Sequence, residues 1–125
     1  MGKKHSPKFL STVDQSRKVI NECDIDQFSA MLNDGNPLTV IDVREQHEFD
    51  AGRFEGALHL SKGVIERDIE KHPISEEDRI VLYCGGGFRS ALAAESLARM
   101  GYVNVYSLWG GWRSLVAAGL ASPNQ

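Results

Sequence analysis

Hydrophobic residues along the chain form short continuous runs that alternate with stretches of helical periodicity. The runs LTVIDV (38–43) and RIVLYC (79–84) are apolar and rich in β-branched residues, which is typical of strands buried on both faces. Two shorter runs, GALHL (56–60) and NVYSL (104–108), predict two more strands. A fifth run, KVINE (18–22), predicts a short edge strand.

The segments between these runs predict helices. Asp24 is expected to cap a helix through IDQFSAML, which the turn signal NDGNP ends. Further helices are predicted over REQHEFDAG (44–52), GVIERDIEKH (63–72), residues 89–100 and GGWRSLVAAGL (110–120). Strands that alternate with helices indicate a mostly parallel sheet covered on both faces, and such sheets bind ligands at the carboxyl ends of their strands.

Composition changes this picture little. The chain has 125 residues, of which 42% are hydrophobic and 25% charged, and its net charge is -3, so one soluble domain without a nucleic-acid partner is expected. No apolar run approaches the roughly 20 residues that span a bilayer, and the first residues lack the apolar core of a signal peptide. With two distant cysteines, Cys23 and Cys84, this predicts a cytoplasmic protein with free thiols and no membrane partner.

Cys84 ends the strand RIVLYC, and a loop of three glycines follows it. A cysteine is a nucleophile only as a thiolate, and both Arg89 and the positive end of the helix that starts near it favour an anion on Cys84. Glycines allow several backbone amides to turn inward around the sulfur. The stretch therefore predicts an anion cradle centred on Cys84. Alternatively, Cys84 is a small hydrophobic core residue, although a core turn has no need of Arg89.

Other anion-binding loops fit this stretch less well. A phosphate-binding P-loop requires a Gly-Lys-Ser/Thr sequence, which is absent, and Ser90 replaces the last glycine of a dinucleotide-binding pattern. The loop of a cysteine phosphatase or arsenate reductase is one residue longer between its cysteine and arginine. The shorter loop from Cys84 to Arg89 is expected to suit one terminal sulfur atom better than a phosphoryl group.

Three blocks of the sequence resemble the single-domain rhodanese sulfurtransferases. CGGGFR (84–89) resembles the Cys-x-x-Gly-x-Arg active loop of that family, and VIDVREQHEFDAGRFEGALHL (40–60) and VYSLWGGWRSLVAAGL (105–120) resemble two further signatures. The resemblance covers about residues 18–120. It implies a rhodanese-like α/β fold, with a five-stranded, mostly parallel sheet flanked by helices on both faces. Residues 1–17 are interpreted as a peripheral N-terminal arm and residues 121–125 as a C-terminal tail.

The resemblance also implies a mechanism without cofactor or metal. Cys84 takes a sulfane sulfur from thiosulfate or a persulfide, and cyanide or a thiol, including that of an acceptor protein, removes it. Cys84 and Arg89 are the catalytic residues, and the substrate-binding residues are Gly85, Gly86, Gly87 and Phe88. The sequence departs from the family pattern at Arg53, Phe54 and Glu55, in a turn expected to lie away from the chemistry. In relatives, polar or basic side chains after the cysteine help to choose the donor, whereas Gly85 and Gly86 have no side chain.

Other residues near strand ends are candidates for the pocket rim, namely Asp42, Arg44, Ser61, Lys62 and Trp109. Asp42 and Arg44 are expected to serve structure rather than substrate, Trp112 is expected in the core, and Cys23 is interpreted as structural. His59 is the one histidine close to the predicted pocket edge. Two alternatives stay open: a non-enzymatic rhodanese module that carries sulfur or docks on a partner, and a cysteine phosphatase or arsenate reductase.

Overall fold

Five strands form one sheet in the computed structural model, which describes residues 5–123 of the chain. Every neighbouring pair of strands is parallel, and their order across the sheet is β1-β5-β4-β2-β3. The strands are β1 (Asn21–Cys23), β2 (Thr39–Asp42), β3 (Leu58–His59), β4 (Ile80–Tyr83) and β5 (Val105–Leu108). The predicted α/β fold with a five-stranded sheet is therefore confirmed.

Helices connect the strands and cover both faces of the sheet. They are α1 (Pro7–Arg17), α2 (Ile25–Asn33), α3 (Gln46–Ala51), α4 (Ile65–Asp68), α5 (Phe88–Arg99) and α6 (Gly111–Ala117), with a 3₁₀ turn at Ile69–Lys71. Among residues 5–123, no helix is both long and apolar enough to cross a membrane.

The central strand β4 divides the core into two layers. Ile80 and Leu82 belong to the cluster that includes Leu97 of α5, whereas Val81 and Tyr83 belong to the cluster that includes Leu115 of α6. All four strand residues are fully buried. This explains why the run was apolar throughout rather than alternating, since a strand covered on both faces has no solvated side.

Several predicted element boundaries differ from the structure, most clearly those of α4 and β1. The helix expected over residues 63–72 begins only at Ile65 and changes to a 3₁₀ turn at Ile69. The edge strand expected at residues 18–22 begins at Asn21, because α1 extends to Arg17 and the Lys18 amide still donates to a carbonyl of that helix. Because α1 continues to Arg17, β1 begins later in the chain than the sequence predicted.

The helix start predicted at Asp24 is confirmed. The Gln27 amide donates to Asp24 Oδ1 over 2.8 Å, and the Asp24 amide donates to the Gln27 side chain, also over 2.8 Å. This reciprocal capping box satisfies two backbone donors at the beginning of α2.

The described part of the segment interpreted as a peripheral arm is anchored to the domain. Val13 of α1 is 1% exposed, and the Ser16 hydroxyl donates to Glu95 Oε1 of α5 over 2.6 Å. α1 therefore lies against α5. The division of the chain into arm, domain and tail stays a prediction.

A buried ion pair holds the end of β2. The Arg44 guanidinium donates to Asp42 Oδ2 over 2.8 Å and to the Gly52 carbonyl over 2.6 Å, and the Arg44 amide donates to Asp42 Oδ1. Both side chains are almost fully buried. The pair thereby ties the carboxyl end of β2 to the end of α3.

Removal of one partner of this pair is expected to destabilise the fold strongly. Asp42→Ala leaves the buried Arg44 guanidinium without its carboxylate, and the expected loss in the free energy of unfolding is about 3–5 kcal/mol. Asp34→Ala, which removes an exposed partner of Arg79, is the control and should cost less. Urea unfolding of the three proteins at pH 7 measures both losses. Equal losses would contradict the importance of the buried pair.

Candidate active site

Cys84 lies at the carboxyl end of β4, at the start of the glycine loop. Its side chain is 1% exposed, and Sγ accepts hydrogen bonds from the amides of Gly87 (3.2 Å) and Ser90 (3.3 Å). The Ser90 hydroxyl lies 3.5 Å from Sγ and 2.8 Å from the hydroxyl of Ser107. Because the first turn of a helix leaves amides without partners, the sulfur takes the place of a capping side chain for α5.

The start of α6 fixes the orientation of this loop. The carbonyls of Cys84, Gly85 and Gly86 accept hydrogen bonds from the amides of Trp112 (2.7 Å), Arg113 (3.2 Å) and Gly110 (3.0 Å) respectively. A carbonyl and the following amide lie on opposite sides of one planar peptide group. Since the Gly86 carbonyl faces α6, the Gly87 amide faces Cys84 Sγ.

At two positions in these segments, only glycine fits without strain or collision. Gly87 has a φ of +111°, and a Cβ atom there would lie 3.0 Å from the Trp109 ring and 3.2 Å from its Cα. Gly111 has a φ of +49°, and its Cβ would collide with the Cys84 carbonyl. Gly85 differs from both, because its Cβ would meet only the end of the Arg89 side chain, at 3.3 Å. The glycines thus permit both the loop conformation and the close approach of α6.

A cavity of about 490 Å³ opens at Cys84. Of the residues predicted for the site, six line it: Arg44, Cys84, Gly85, Gly86, Phe88 and Arg89. Gly87 contributes its amide to the sulfur rather than a part of the cavity wall. The cavity also has five lining residues that the sequence did not assign to the site: His5, Phe9, Glu48, Trp112 and Arg113.

Four residues proposed for the rim lie elsewhere. The Asp42 carboxylate is buried and occupied by Arg44, and Ser61 and Lys62 follow β3, where the Lys62 amide donates to the Val43 carbonyl over 2.9 Å. Trp109 does not line this cavity, and the Arg17 guanidinium stacks on its ring, 3.7 Å from the centroid. The expected placement is therefore corrected for these four. The reason is that position at a strand end does not determine the direction of a side chain.

The positions of Trp112 and His59 also differ from those that the sequence predicted. Trp112 lines the cavity rather than lying in the core alone, with its ring stacked on Tyr83 and the Arg44 guanidinium 4.5 Å from its ring centroid. His59 stacks on Phe49 and its Nε2 lies 2.8 Å from the Arg44 carbonyl oxygen. His59 therefore supports the loop after β2 and does not reach the cavity.

Arg89 forms a bidentate ion pair with Glu48 of α3. Its two terminal nitrogens lie 2.8 and 3.2 Å from the two carboxylate oxygens. The hydrogen bond from Arg89 is the main cause that lowers the pKa of Glu48 to about 2, and the same bond raises the pKa of Arg89. The positive charge that the sequence interpretation assigned to the thiolate is thus largely compensated by Glu48.

The other cysteine has no such surroundings. Cys23 is buried, and burial together with the neighbouring carboxylates of Asp24 and Glu22 raises the pKa of its thiol to about 12. This thiol is protonated at neutral pH and is therefore a poor nucleophile. Both cysteines are free, and the described residues hold no group of three His, Cys, Asp or Glu side chains arranged to bind a metal.

The chain belongs to the rhodanese-like domain family, whose pattern it matches over residues 24–118. It is 34% identical over 91 residues to the tRNA uridine(34) hydroxylase of Pectobacterium carotovorum subsp. carotovorum (strain PC1), with 69% of this chain and 25% of that protein covered. It is 28% identical over 94 residues to YrkF of Bacillus subtilis (strain 168), named as a candidate sulfur carrier, with 75% of this chain and 50% of that protein covered. The chain thus spans half or less of the length of these relatives.

Solved structures share the fold along most of the chain. A protein of unknown function from Rhodopseudomonas palustris, described as a candidate tyrosine phosphatase, superposes with a TM-score of 0.76 at 23% identity, covering 95% of this chain and 96% of that one. The human single-domain sulfurtransferase TSTD1 superposes with a TM-score of 0.71 at 22% identity, covering 77% and 95%. At these identities the likeness shows the fold alone.

A methyl group at Gly87 is expected to disrupt the loop. Gly87→Ala combines a left-handed φ with contacts to the Trp109 backbone, so the free energy of unfolding should fall by about 2 kcal/mol. Gly85→Ala, whose new methyl meets only a flexible side chain, should cost less than about 1 kcal/mol. Chemical denaturation of both variants measures the difference. A Gly87→Ala variant as stable as Gly85→Ala would contradict the conformational argument.

The Glu48–Arg89 pair predicts a dependence of stability on pH. Because the pKa of Glu48 is lowered on folding, the pair contributes its full stability above the ordinary carboxyl pKa, and this contribution is lost as pH falls towards about 2. Wild type should therefore be more stable than Glu48→Gln at pH 7, and the gap should narrow between about pH 4.5 and 2. Urea midpoints of both proteins across this range measure the gap. A gap that stays constant with pH would contradict the prediction.

Proposed function

We propose that the chain is a sulfurtransferase that carries a sulfane sulfur on Cys84 as a persulfide. The observation that carries this proposal is the pair of backbone amides, from Gly87 and Ser90, that donate to Cys84 Sγ at the base of an open cavity. Donors fixed by the fold stabilise negative charge on sulfur without rearrangement during the reaction. The family includes sulfurtransferases, which agrees with this chemistry.

The proposed reaction has two steps. The Cys84 thiolate attacks the sulfane sulfur of the donor, a bond between the two sulfurs forms, and the bond from that sulfur to the rest of the donor breaks. The departing group keeps the electron pair, and the negative charge of the new persulfide lies on its outer sulfur. An acceptor, cyanide or a thiolate, then attacks the outer sulfur, and Cys84 leaves as a thiolate. No cofactor takes part in this covalent two-step cycle.

A sulfur-carrying or docking role is the second candidate. YrkF, which matches over half its length, is named as a candidate sulfur carrier, and the loop of this chain has no side chain at Gly85 or Gly86 to choose a small donor. In that role Cys84 still forms a persulfide, but a protein accepts the sulfur and turnover with cyanide is slow. A phosphatase is disfavoured by the short loop between Cys84 and Arg89. We place either activity in a reducing, cytoplasmic environment, since both thiols are free.

Intact mass spectrometry without reductant tests persulfide formation. Wild type incubated with thiosulfate, or with an organic persulfide, is expected to gain about 32 Da, the mass of one sulfur atom, and cyanide should remove it. Cys84→Ser should gain nothing. Cys23→Ser is the matched control, because it removes the other buried thiol, and it should behave as wild type.

The outcomes separate the candidates. A mass gain with the organic persulfide but not with thiosulfate supports persulfide formation on Cys84 and identifies the persulfide, rather than thiosulfate, as the donor. A stable gain that cyanide removes only slowly favours the sulfur carrier. Wild type that gains no mass with either donor, or Cys84→Ser that gains as much as wild type, contradicts the proposed function.

A further inference from the structure

One wall of the active-site cavity is aromatic and comes from the N-terminal segment. The rings of His5 and Phe9 have centroids 5.1 Å apart, and the His5 ring lies 4.8 Å from that of Phe88 in an edge-to-face arrangement. The Phe9 and Phe88 centroids are 6.4 Å apart. All three residues line the cavity that holds Cys84. We call His5, Phe9 and Phe88 the aromatic wall.

The helix α1, which carries Phe9 of this wall, is fixed in place. Towards its carboxyl end, α1 buries Val13 and hydrogen-bonds Glu95 of α5 through Ser16. Arg17, its last residue, pairs with Glu22 over 2.9 Å and stacks on the ring of Trp109. His5 precedes α1, and its ring packs on that of Phe9 in the first turns of the helix. The anchored end of α1 thus directs the other end over the cavity.

This wall lies mostly outside the part of the chain that matches the family. The match begins at residue 24, whereas His5 and Phe9 precede it. The features shared with the family, Cys84 and its loop, therefore meet two side chains that the shared domain does not supply. A residue that faces the reacting group from outside the common domain is placed to affect which substrate is used rather than which reaction occurs.

Three arginines, Arg44, Arg89 and Arg113, also line the cavity. Arg44 and Arg89 are compensated by Asp42 and Glu48 respectively. Among the described residues, Arg113 has no carboxylate within ion-pair distance, and its Nε donates only to the Gly85 carbonyl, over 3.4 Å. Its exposed guanidinium is thus available to an anionic group.

The volume of the cavity is larger than a single sulfur atom requires. At about 490 Å³ it falls within the range, about 300–1,000 Å³, of pockets that enclose organic ligands. A cavity lined by both an aromatic wall and an uncompensated arginine fits a donor with an apolar group and an anionic, sulfur-bearing group. A small inorganic anion leaves the aromatic wall without a partner.

We propose that the cavity selects a small organic donor of sulfane sulfur, a low-molecular-weight persulfide or thiosulfonate, whose apolar group packs against His5, Phe9 and Phe88. This proposal rests on the proposed function, since it names the donor of that same site. With a thiosulfonate, the Cys84 thiolate attacks the outer sulfur, the bond between that sulfur and the sulfonyl sulfur breaks, and a sulfinate leaves with the electron pair. Two anions enter and two anions result, so no oxidant or reductant is needed.

Two probes that differ only in their apolar group test the selection. Benzenethiosulfonate and methanethiosulfonate carry the same reacting group, and the rate of the mass gain on Cys84 is measured with each. The ratio of the two rates, divided by the ratio for free cysteine in solution, reports the contribution of the protein alone. For wild type, we expect this normalised rate ratio to favour benzenethiosulfonate over methanethiosulfonate by about tenfold.

Variants of α1 identify the origin of the preference. Phe9→Ala should reduce the ratio towards that of free cysteine, and Phe9→Leu should give an intermediate ratio. Leu10→Ala, the next residue on the same helix, which is exposed and does not line the cavity, is the matched control and should keep the wild-type ratio. Since a misfolded fraction lowers both rates equally, the ratio is independent of partial unfolding.

The results distinguish this proposal from the proposed function. A ratio that Phe9→Ala leaves unchanged, or a wild-type ratio equal to that of free cysteine, overturns the donor selection while persulfide formation stands. Mass gain from a persulfidated protein but from neither thiosulfonate overturns it in favour of a protein donor. No gain from any donor, thiosulfate included, removes the proposed function and this inference with it.

Discussion

The hydrogen bonds between the glycine loop and the start of α6 determine the geometry of the whole site. The loop leaves β4 with carbonyls that no neighbouring strand receives, and the first turn of α6 has amides that its own helix does not use. The amides of Gly110, Trp112 and Arg113 meet the carbonyls of residues 84–86, so each set satisfies the other. This contact turns the Gly87 amide towards Cys84 Sγ. The requirement for glycine at positions 87 and 111 follows from the same close approach.

The parts of the structure that depend on local sequence were predictable. A buried parallel strand has to be apolar on both faces, so β2 and β4 were evident from their composition alone. The capping box of Asp24 and Gln27 lies within four residues, and its pattern was sufficient to place the start of α2. The position of Cys84 at the end of β4 followed from the strand and the glycines after it. In each case the interacting atoms are close along the chain.

The site residues that the sequence did not predict are placed there by contacts between segments that lie far apart along the chain. Glu48 lies 41 residues from Arg89, and nothing in either segment indicates their pairing. Nothing in the sequence indicated that His5 and Phe9 reach the site, because the packing of α1 on α5 was not visible in the sequence. Ser90 is the missed residue that the sequence could have predicted. The first turn of a helix that begins beside an anion donates its amides to that anion, and Ser90 lies in the first turn of α5.

The groups that contact the Cys84 sulfur carry partial charges rather than full ones. Glu48 compensates Arg89, and Asp42 compensates Arg44. Cys84 Sγ receives instead two amides and lies beside the hydroxyl of Ser90. On the proposed chemistry this is advantageous, because a sulfur held by a full ion pair would be hindered from attacking and leaving. Oriented dipoles stabilise the anion at each stage and leave it free to react.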